Sequence, residues 1–457
     1  MKHSRLEMVL QIALGLLLFL LPWQTTWIAK EVVIDGVKWE YLTQGIYATE
    51  ILLWVSVVLF LVWFTHRLRS FRQEGLHSIR QLWSPDRFFV LACLAFVVYS
   101  FFSSLWSPIP EVARQHALWA LEATLLFFML IAGPLSPRGG FLCMIGGAAV
   151  QGLLAIYQFL MQTTFSFKWF GLVYHPVWQA GTSVVSSPDI GRWLRAYGSF
   201  PHPNMLGGYL AIAIILCVVL FLVQKKQSDQ GAYLRVAKFF LPIITAGLFF
   251  SFSRSAWIAT GFAFAAFIYG MSTQPARRHG LFFTGMFVVM FGILSIIFSP
   301  LLATRFDPAV SVQESRSVSE RTTGYVQAVN LWKQRPWFGV GIGQYTVAQH
   351  LANPTAPVFL LQPVHNVPLL LITELGIVGA ALLFVALGSA IRLARPIISF
   401  VGWLPIIVLG GGALVLLSLD HYLFSLYPGF LVVAMGAGIV FKQGLSTLHP
   451  LVIDSQI

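Results

Sequence analysis

Apolar runs alternate with polar segments from one end of this chain to the other. A helix of roughly 20 apolar residues crosses a hydrocarbon core of roughly 30 Å, so each long run predicts one membrane-spanning helix. About twelve such runs are present, of which the seventh, eighth and twelfth are short: 6–23, 47–64, 88–105, 116–131, 140–160, 205–223, 239–252, 257–270, 281–298, 367–390, 397–417 and 430–441.

The composition agrees with this pattern. Hydrophobic residues make up 57% of the 457 residues and charged residues only 10%, a balance that soluble domains of this length do not have. The first run lacks a small-residue cleavage site, so we interpret it as a retained helix rather than a signal peptide. The sequence therefore predicts an all-α polytopic membrane protein, with residues 1–457 forming a single integral membrane domain.

Basic residues set the expected orientation, because positively charged loops resist translocation. Placing the N-terminus in the cytoplasm puts the larger share of the 29 Lys and Arg residues inside, including the cluster at 67–87. Both termini are then cytoplasmic. The net charge of +12 is partly explained by the basic residues that fix the membrane orientation, so it does not require a nucleic-acid partner. All three cysteines fall within predicted spans, which argues against a disulfide framework or a zinc site.

Two long polar segments, 162–204 and 299–366, are expected on the periplasmic side. Within the second, an amphipathic surface helix is predicted at about 318–334, because Ser317 and Glu320 have capping-box spacing and Pro336 ends the run. Its apolar stripe consists of Tyr325, Val329 and Trp332.

Arginines are concentrated in these two segments and at one helix mouth. Eight basic residues face four acidic ones across the two segments, and Arg254 lies between two short apolar runs in "SFSRSAW". A guanidinium fork suits phosphate or diphosphate oxygens, so the surplus indicates an anionic ligand. A phospholipid headgroup would satisfy the same charges, and Arg321, on the helix stripe, is also compatible with an interfacial, snorkelling role.

His365 and Asn366 stand at the mouth of the tenth run. An unperturbed imidazole pKa near 6.5 suits a side chain that takes a proton from a hydroxyl at neutral pH. The alternative is an interfacial histidine with its hydrogen bonds satisfied. No Asp-x-Asp pair occurs in the sequence, so we expect no metal site of that type and no cofactor.

Four stretches in order resemble the O-antigen ligase and polymerase superfamily: "RAYGSFPHPNMLGGYLA", "FSFSRSAWIA", "SERTTGYVQAVNLWKQRPWFGVGIGQY" and "HNVPLLLITELGIVGAAL". They extend from about Arg195 to Gly379. The resemblance implies a GT-C-type membrane glycosyltransferase of lipopolysaccharide biosynthesis, located in the bacterial inner membrane. Such an enzyme transfers a glycan from undecaprenyl diphosphate to an acceptor on the periplasmic face, by inversion and without an obligatory metal.

The matching motifs also imply residue roles. Arg254 and Arg321 would hold the carrier's diphosphate, and His365 would deprotonate the acceptor hydroxyl. Substrate contacts are further implied for Arg195, His202, Asn204 and Asn366, although the "HPN" triplet that contains His202 and Asn204 could instead shape the loop. Asp420 and His421 could assist.

Several functions remain open on the sequence alone. We favour a ligase acting on lipid A-core, but an O-antigen polymerase or a protein O-oligosaccharyltransferase shares these motifs. A polytopic transporter or lipid flippase is a more distant alternative, because interfacial arginines and broken helices also occur on anion paths.

Overall fold

Long helices account for most of the computed structural model, which describes residues 5–34, 36–74, 87–187, 190–223, 227–271, 277–306 and 312–454. In chain order the helices are α1 Arg5–Leu20, α2 Ala48–Glu74, α3 Arg87–Phe102, α4 Pro110–Ala132, α5 Pro137–Met161, α6 Pro203–Val223, α7 Gln227–Phe250, α8 Arg254–Met271, α9 Arg277–Ile297, α10 Ser299–Ala303, α11 Val312–Gln334, α12 Tyr345–Ala352, α13 Val367–Leu393, α14 Arg395–Val401, α15 Leu404–Leu419, α16 Tyr422–Ser425 and α17 Tyr427–Asp454.

Within the described residues, eight helices are long and apolar enough to cross a membrane: Ala48–Arg69, Arg87–Leu105, Pro110–Ala132, Pro137–Met161, Pro203–Val223, Gly280–Ile297, Val367–Leu393 and Tyr427–Ser446. The pair α14 and α15, bent by 115°, makes a ninth if it counts as one span. The protein is thus a mostly helical, multi-pass membrane protein. The count of about twelve spans is not confirmed, although helices also cover the remaining predicted runs.

Helix α6 forms the centre of the bundle. Its sequence is apolar on every side. Of the residues in its most apolar stretch, 94% are buried, as expected for a helix surrounded by others. It packs against α5, α7, α8, α15 and α17. Gly208 lets the Tyr422 ring approach closely, because a Cβ there would lie 1.7 Å from the Tyr422 hydroxyl oxygen.

The starts of α6, α8, α13 and α17 meet at one end of the bundle, which we call the site end. Hydrogen bonds join two of these starts to the end of α15: Asn204 in α6 donates to Asp420, which follows α15, and Asn366 before α13 donates to the Ser418 carbonyl. Polar side chains at the mouths of several apolar runs are therefore close in space.

Three short antiparallel strand pairs accompany the helices. Strands β1 Thr26–Lys30 and β4 Gln44–Tyr47 pair with each other, as do β2 Val33–Ile34 with β3 Val37–Lys38, and β5 Val184–Ser187 with β6 Gly191–Leu194. The first four lie between α1 and α2, in a segment that the sequence analysis did not single out. Its Trp39 and Leu42 form a small core with Val112, Val347 and Leu361.

A break in α13 fixes the segment between α11 and α12. Gly376 has φ +65°, a left-handed conformation that favours glycine. Backbone carbonyl groups of the opened turn accept hydrogen bonds from the N–H groups of Val340 and Gly341. The N–H of Ile377 donates to the Pro336 carbonyl. A Cβ at Gly376 would lie 2.2 Å from the Trp337 carbonyl oxygen. The end of α11 is thereby held against α13.

Candidate functional site

Asn366 caps α13. Its side-chain oxygen accepts a hydrogen bond of 2.9 Å from the Leu369 backbone N–H, which satisfies one of the free donors of the first turn. Its Nδ2 donates to the Ser418 carbonyl at 3.2 Å. The motif implied a substrate contact for Asn366. In the structure both ends of its amide make hydrogen bonds within the protein, and as the N-cap it holds the preceding residue, His365, at the start of α13.

The ring of His365 is half-buried at the site end and lies edge-on against His421, with ring centroids 4.9 Å apart. Burial lowers the pKa of His365, and the charge of Arg321 lowers it further, whereas the charges of Asp420 and Glu320 oppose the shift. A histidine with a lowered pKa is neutral at pH 7 and is able to accept a proton.

Arg195 anchors a buried polar chain beside this histidine. Its side chain is 6% exposed; Nε donates to the Ser251 carbonyl at 2.9 Å and Nη2 to Asn204 Oδ1 at 2.6 Å. Asn204 Nδ2 then donates to Asp420 Oδ2 at 3.0 Å. The guanidinium that the motif implied as a phosphate contact thus connects the end of α7, the start of α6 and the residue after α15.

His202 fixes the β5–β6 region to α6. Its Nδ1 accepts the Asn204 backbone N–H at 3.1 Å, and its Nε2 lies 3.1 Å from the Ser183 hydroxyl. Because Nδ1 accepts, the proton of the neutral ring is on Nε2 and is donated to Ser183. These bonds fit the loop-shaping alternative for the "HPN" triplet.

Arg254 is the first residue of α8, and its Nη1 donates to the Arg305 carbonyl at 3.2 Å. Arg305, Arg195 and His365 all lie within electrostatic range of His202. Arg305, which we counted in the basic surplus without assigning a role, therefore belongs to the same cationic region. Positive charges gathered near the start of a helix, here the start of α8, attract an anion.

Arg321 lies on α11 and lines, together with His365, a cavity of about 270 Å³. Its Nε is buried and has no hydrogen-bond partner within the described part of the chain. The structure thus brings Arg321 and His365 to one cavity. The described lining does not include Arg254, whose hydrogen bond goes to Arg305, a residue within electrostatic range of His202.

Tyr41 is a site residue that the sequence analysis missed. Its ring contacts that of His421 edge-on at a centroid distance of 5.8 Å. No local signal identifies it, because the contact depends on how the strands between α1 and α2 fold over the site end. Asp420 and His421 did have a signal, since both interrupt an otherwise apolar stretch.

His365, Asp420 and His421 form a group that could hold a metal ion, since their ligand atoms all lie within 4.8 Å of one another. Each of the last two already has partners. Asp420 Oδ1 accepts the His421 backbone N–H at 2.9 Å and Oδ2 accepts from Asn204. His421 Nδ1 lies 2.7 Å from the Ser425 hydroxyl. These bonds orient the Asp420 carboxylate and the His421 ring toward His365.

Fold and site together define a multi-pass membrane protein with arginines and a histidine gathered at one end of its helices. Residues 239–384 match the family model described as O-antigen ligase. The match confirms the resemblance found in the motifs and supports membership of the O-antigen ligase superfamily, whose members are glycan-modifying membrane enzymes. No curated protein matches the chain. Arg254, Arg321 and His365 lie inside the matched region, whereas Arg195, Asn204 and Asp420 lie outside it.

Proposed function

We propose that the protein is an inverting, metal-independent glycosyltransferase that moves a glycan from undecaprenyl diphosphate to an acceptor hydroxyl. The observation that carries this proposal is the cavity shared by His365 and Arg321 within the family-matched region. It places a proton acceptor beside a cation that is matched to phosphate oxygens.

The reaction is a direct displacement. The acceptor hydroxyl gives its proton to the free imidazole nitrogen of His365, and its oxygen attacks the anomeric carbon opposite the leaving group. The bond from that carbon to the diphosphate oxygen breaks, and the electron pair stays on the diphosphate. Arg254 and Arg321 stabilise the charge that develops there, a preorganised electrostatic effect of the kind that often dominates catalysis. Asp420 stabilises the imidazolium that forms.

We assign the site end to the periplasm and both termini to the cytoplasm of a bacterial inner membrane. The about twelve spans predicted from the sequence, an even number, would put both termini on one side, and the basic residues between α2 and α3 then face the cytoplasm, as the positive-inside rule requires. In this GT-C-like arrangement the site faces the leaflet that holds the lipid-linked donor.

Among acceptors, lipid A-core is our first choice. The O-antigen polymerase and protein O-oligosaccharyltransferase activities are the alternatives within the superfamily. A transporter or flippase is less well supported, because the charged groups gather at one end of the membrane-spanning helices rather than halfway along them.

Purified protein in nanodiscs, given labelled undecaprenyl-diphosphate glycan and each acceptor in turn, tests the proposal. His365→Ala should lower the transfer rate by about 10²- to 10⁴-fold, the usual contribution of a general base, while donor binding persists. The control is His66→Ala, which removes an exposed histidine from the far end of α2. Normal transfer by His365→Ala would show that the base assignment is wrong. Lipid movement without a new glycosidic bond would favour a flippase.

A further inference from the structure

The segment 163–178, which we call the aromatic loop, exposes a group of rings between α5 and the β5–β6 pair that the transfer mechanism does not use. It belongs to a segment that we predicted to be polar, yet the chain has one lysine and no acidic residue between positions 162 and 187. Six of its aromatic side chains are exposed: Phe165, Phe167, Trp169, Phe170, Tyr174 and Trp178. Exposed apolar patches of this kind mark contacts with another molecule or with a membrane.

The backbone of the aromatic loop folds back on itself. Phe167 and Leu172 exchange backbone hydrogen bonds of 3.0 and 3.1 Å, and the N–H groups of Phe170 and Gly171 donate to the carbonyls of Phe167 and Lys168. Gly171 closes the turn with φ +65°, a left-handed conformation that favours glycine. Backbone groups that enter a lipid layer need partners within the protein, because little water is available there. A turn closed in this way is therefore suited to burial in lipid.

The aromatic loop is held at the level where α1 and α5 end. Thr25 Oγ1 donates to the Trp169 carbonyl at 2.7 Å, and the Phe170 ring packs against Trp23, just after α1, with centroids 4.8 Å apart. A Cβ at Gly171 would lie 2.2 Å from the nearest backbone atom of this segment. The Trp169 side chain itself remains 70% exposed. The loop is thus fixed from below while its rings have no cover within the described part of the chain.

The exposed rings continue the outer surface of α5. This helix is one of those long and apolar enough to cross a membrane, and Leu153, Tyr157 and Leu160 are exposed on one of its faces. Such side chains face lipid when the helix spans a bilayer. The Phe165 ring meets the Tyr157 ring edge-on at a centroid distance of 6.1 Å. The apolar surface therefore continues from the span into the loop, and a protein that covered the loop would have to displace lipid from α5.

We propose that the aromatic loop inserts into the bilayer leaflet at the site end, where it binds phospholipid at the boundary between headgroups and acyl chains. Tryptophan and tyrosine favour this level of a membrane. Lys168 is exposed between Phe167 and Trp169, and its long side chain can carry the charge to the headgroup phosphates while its stem stays among the rings. The partner is the lipid surface itself, so the inference does not depend on the reaction that the site catalyses.

Insertion of the loop would fix the depth of the site end in the membrane. The His175 ring stacks on Tyr197, with centroids 4.0 Å apart and planes at 9°. The Tyr197 hydroxyl accepts the Ser183 backbone N–H at 2.7 Å, and the Ser183 hydroxyl meets His202 Nε2 at 3.1 Å. These contacts connect the aromatic loop to the β5–β6 pair and to the residue before α6, so the loop and the site move together.

Nitroxide labels measure the insertion directly. Trp169→Cys and Val173→Cys each place a label on an exposed position of the aromatic loop, in protein reconstituted as one copy per nanodisc, where no second protein can cover it. Leu153→Cys, on the exposed face of α5, is the lipid reference. Thr355→Cys, in the exposed polar turn after α12, is the water reference. Wild-type protein carried through the same labelling gives the background from the three native cysteines.

Molecular oxygen concentrates in lipid and a nickel chelate stays in water, so their collisions with the label report its surroundings. We expect both loop positions to give an oxygen-to-nickel ratio near that of Leu153→Cys and above that of Thr355→Cys. Their depth should be roughly 5–10 Å below the headgroup surface, as for other interfacial segments. A ratio equal to that of Thr355→Cys at both positions would place the loop in water, available to a protein partner, and would overturn the proposal. Low collision rates with both reagents would also overturn it, because the protein itself would then bury the loop.

Discussion

His365 lies edge-on against His421, with ring centroids 4.9 Å apart and ring planes at 82°. Two imidazolium charges this close repel, so one ring stays neutral while the other is protonated. Burial lowers the pKa of His421 well below its usual value, and His365, His202 and Arg321 lower it further. His421 is therefore the neutral partner, and the half-buried His365 is the ring that takes up a proton.

The pH dependence of transfer should report on His365. Only the neutral ring accepts a proton, and burial lowers its pKa, so kcat/KM should fall only below the usual value near 6.5. Arg321→Gln removes a charge that lowers this pKa and should move the acid limb to higher pH. Asp420→Asn removes a charge that raises it and should move the limb to lower pH.

Initial rates from about pH 5 to pH 8, a range that brackets histidine titration, measure these shifts. Arg321→Lys keeps the charge, so its acid limb should stay at the wild-type position even where its rate is lower. If Arg321→Gln and Asp420→Asn shift the limb in the same direction, His365 does not control it.

Arg254→Lys should weaken the use of the donor. Lysine keeps the charge but loses the planar fork that contacts two phosphate oxygens, and a hydrogen bond to a charged group contributes about 1.5–3 kcal/mol. We therefore expect kcat/KM for the donor to fall about 10- to 100-fold. Arg192→Lys, at an exposed arginine in β6, is the matched control. Equal donor kinetics in the two variants would remove Arg254 from the diphosphate site.

Chelation should leave transfer unchanged. The proposed displacement uses His365 as the base and arginines to stabilise the diphosphate, so we expect the same rate after dialysis against EDTA as before it. Loss of activity that a divalent cation restores would contradict this expectation. It would indicate instead that His365, Asp420 and His421 bind a metal, and the same chelation should then change the spectrum of a cobalt-substituted protein.

The helices could be predicted because a long apolar run in lipid has few alternatives to helical structure. Arg254 and His365 could be singled out for a related reason, since a charged or titratable side chain at the mouth of an apolar run is costly unless it has a partner. Both signals are local in sequence, and the single chain was enough to find them.

Other parts of the site depend on tertiary contacts that no local pattern encodes. Tyr41 reaches His421 only because the strands between α1 and α2 fold over the site end. Arg195 looked like a ligand contact, but its carbonyl and amide partners come from the end of α7 and the start of α6. The break at Gly376 was also hidden, because the apolar run continues across it.

Gly376→Ala should destabilise the protein and disturb the site. Alanine at φ +65° is strained, and its Cβ would lie 2.2 Å from the Trp337 carbonyl oxygen. We expect a loss of about 1–3 kcal/mol, typical of a residue forced into an unfavourable backbone region, and lower transfer activity because the end of α11 is held by this turn. Thermal unfolding in detergent measures the first effect.

Gly388→Ala is the matched control in the same helix, since no atom lies within 4 Å of an added Cβ there. Alanine favours helix over glycine by about 1 kcal/mol, so this variant should have an unchanged or slightly higher Tm and normal transfer. A lower Tm in both variants would mean that any side chain at these helix positions is harmful in the membrane. A lower Tm in Gly376→Ala alone would show that the broken turn stabilises the protein.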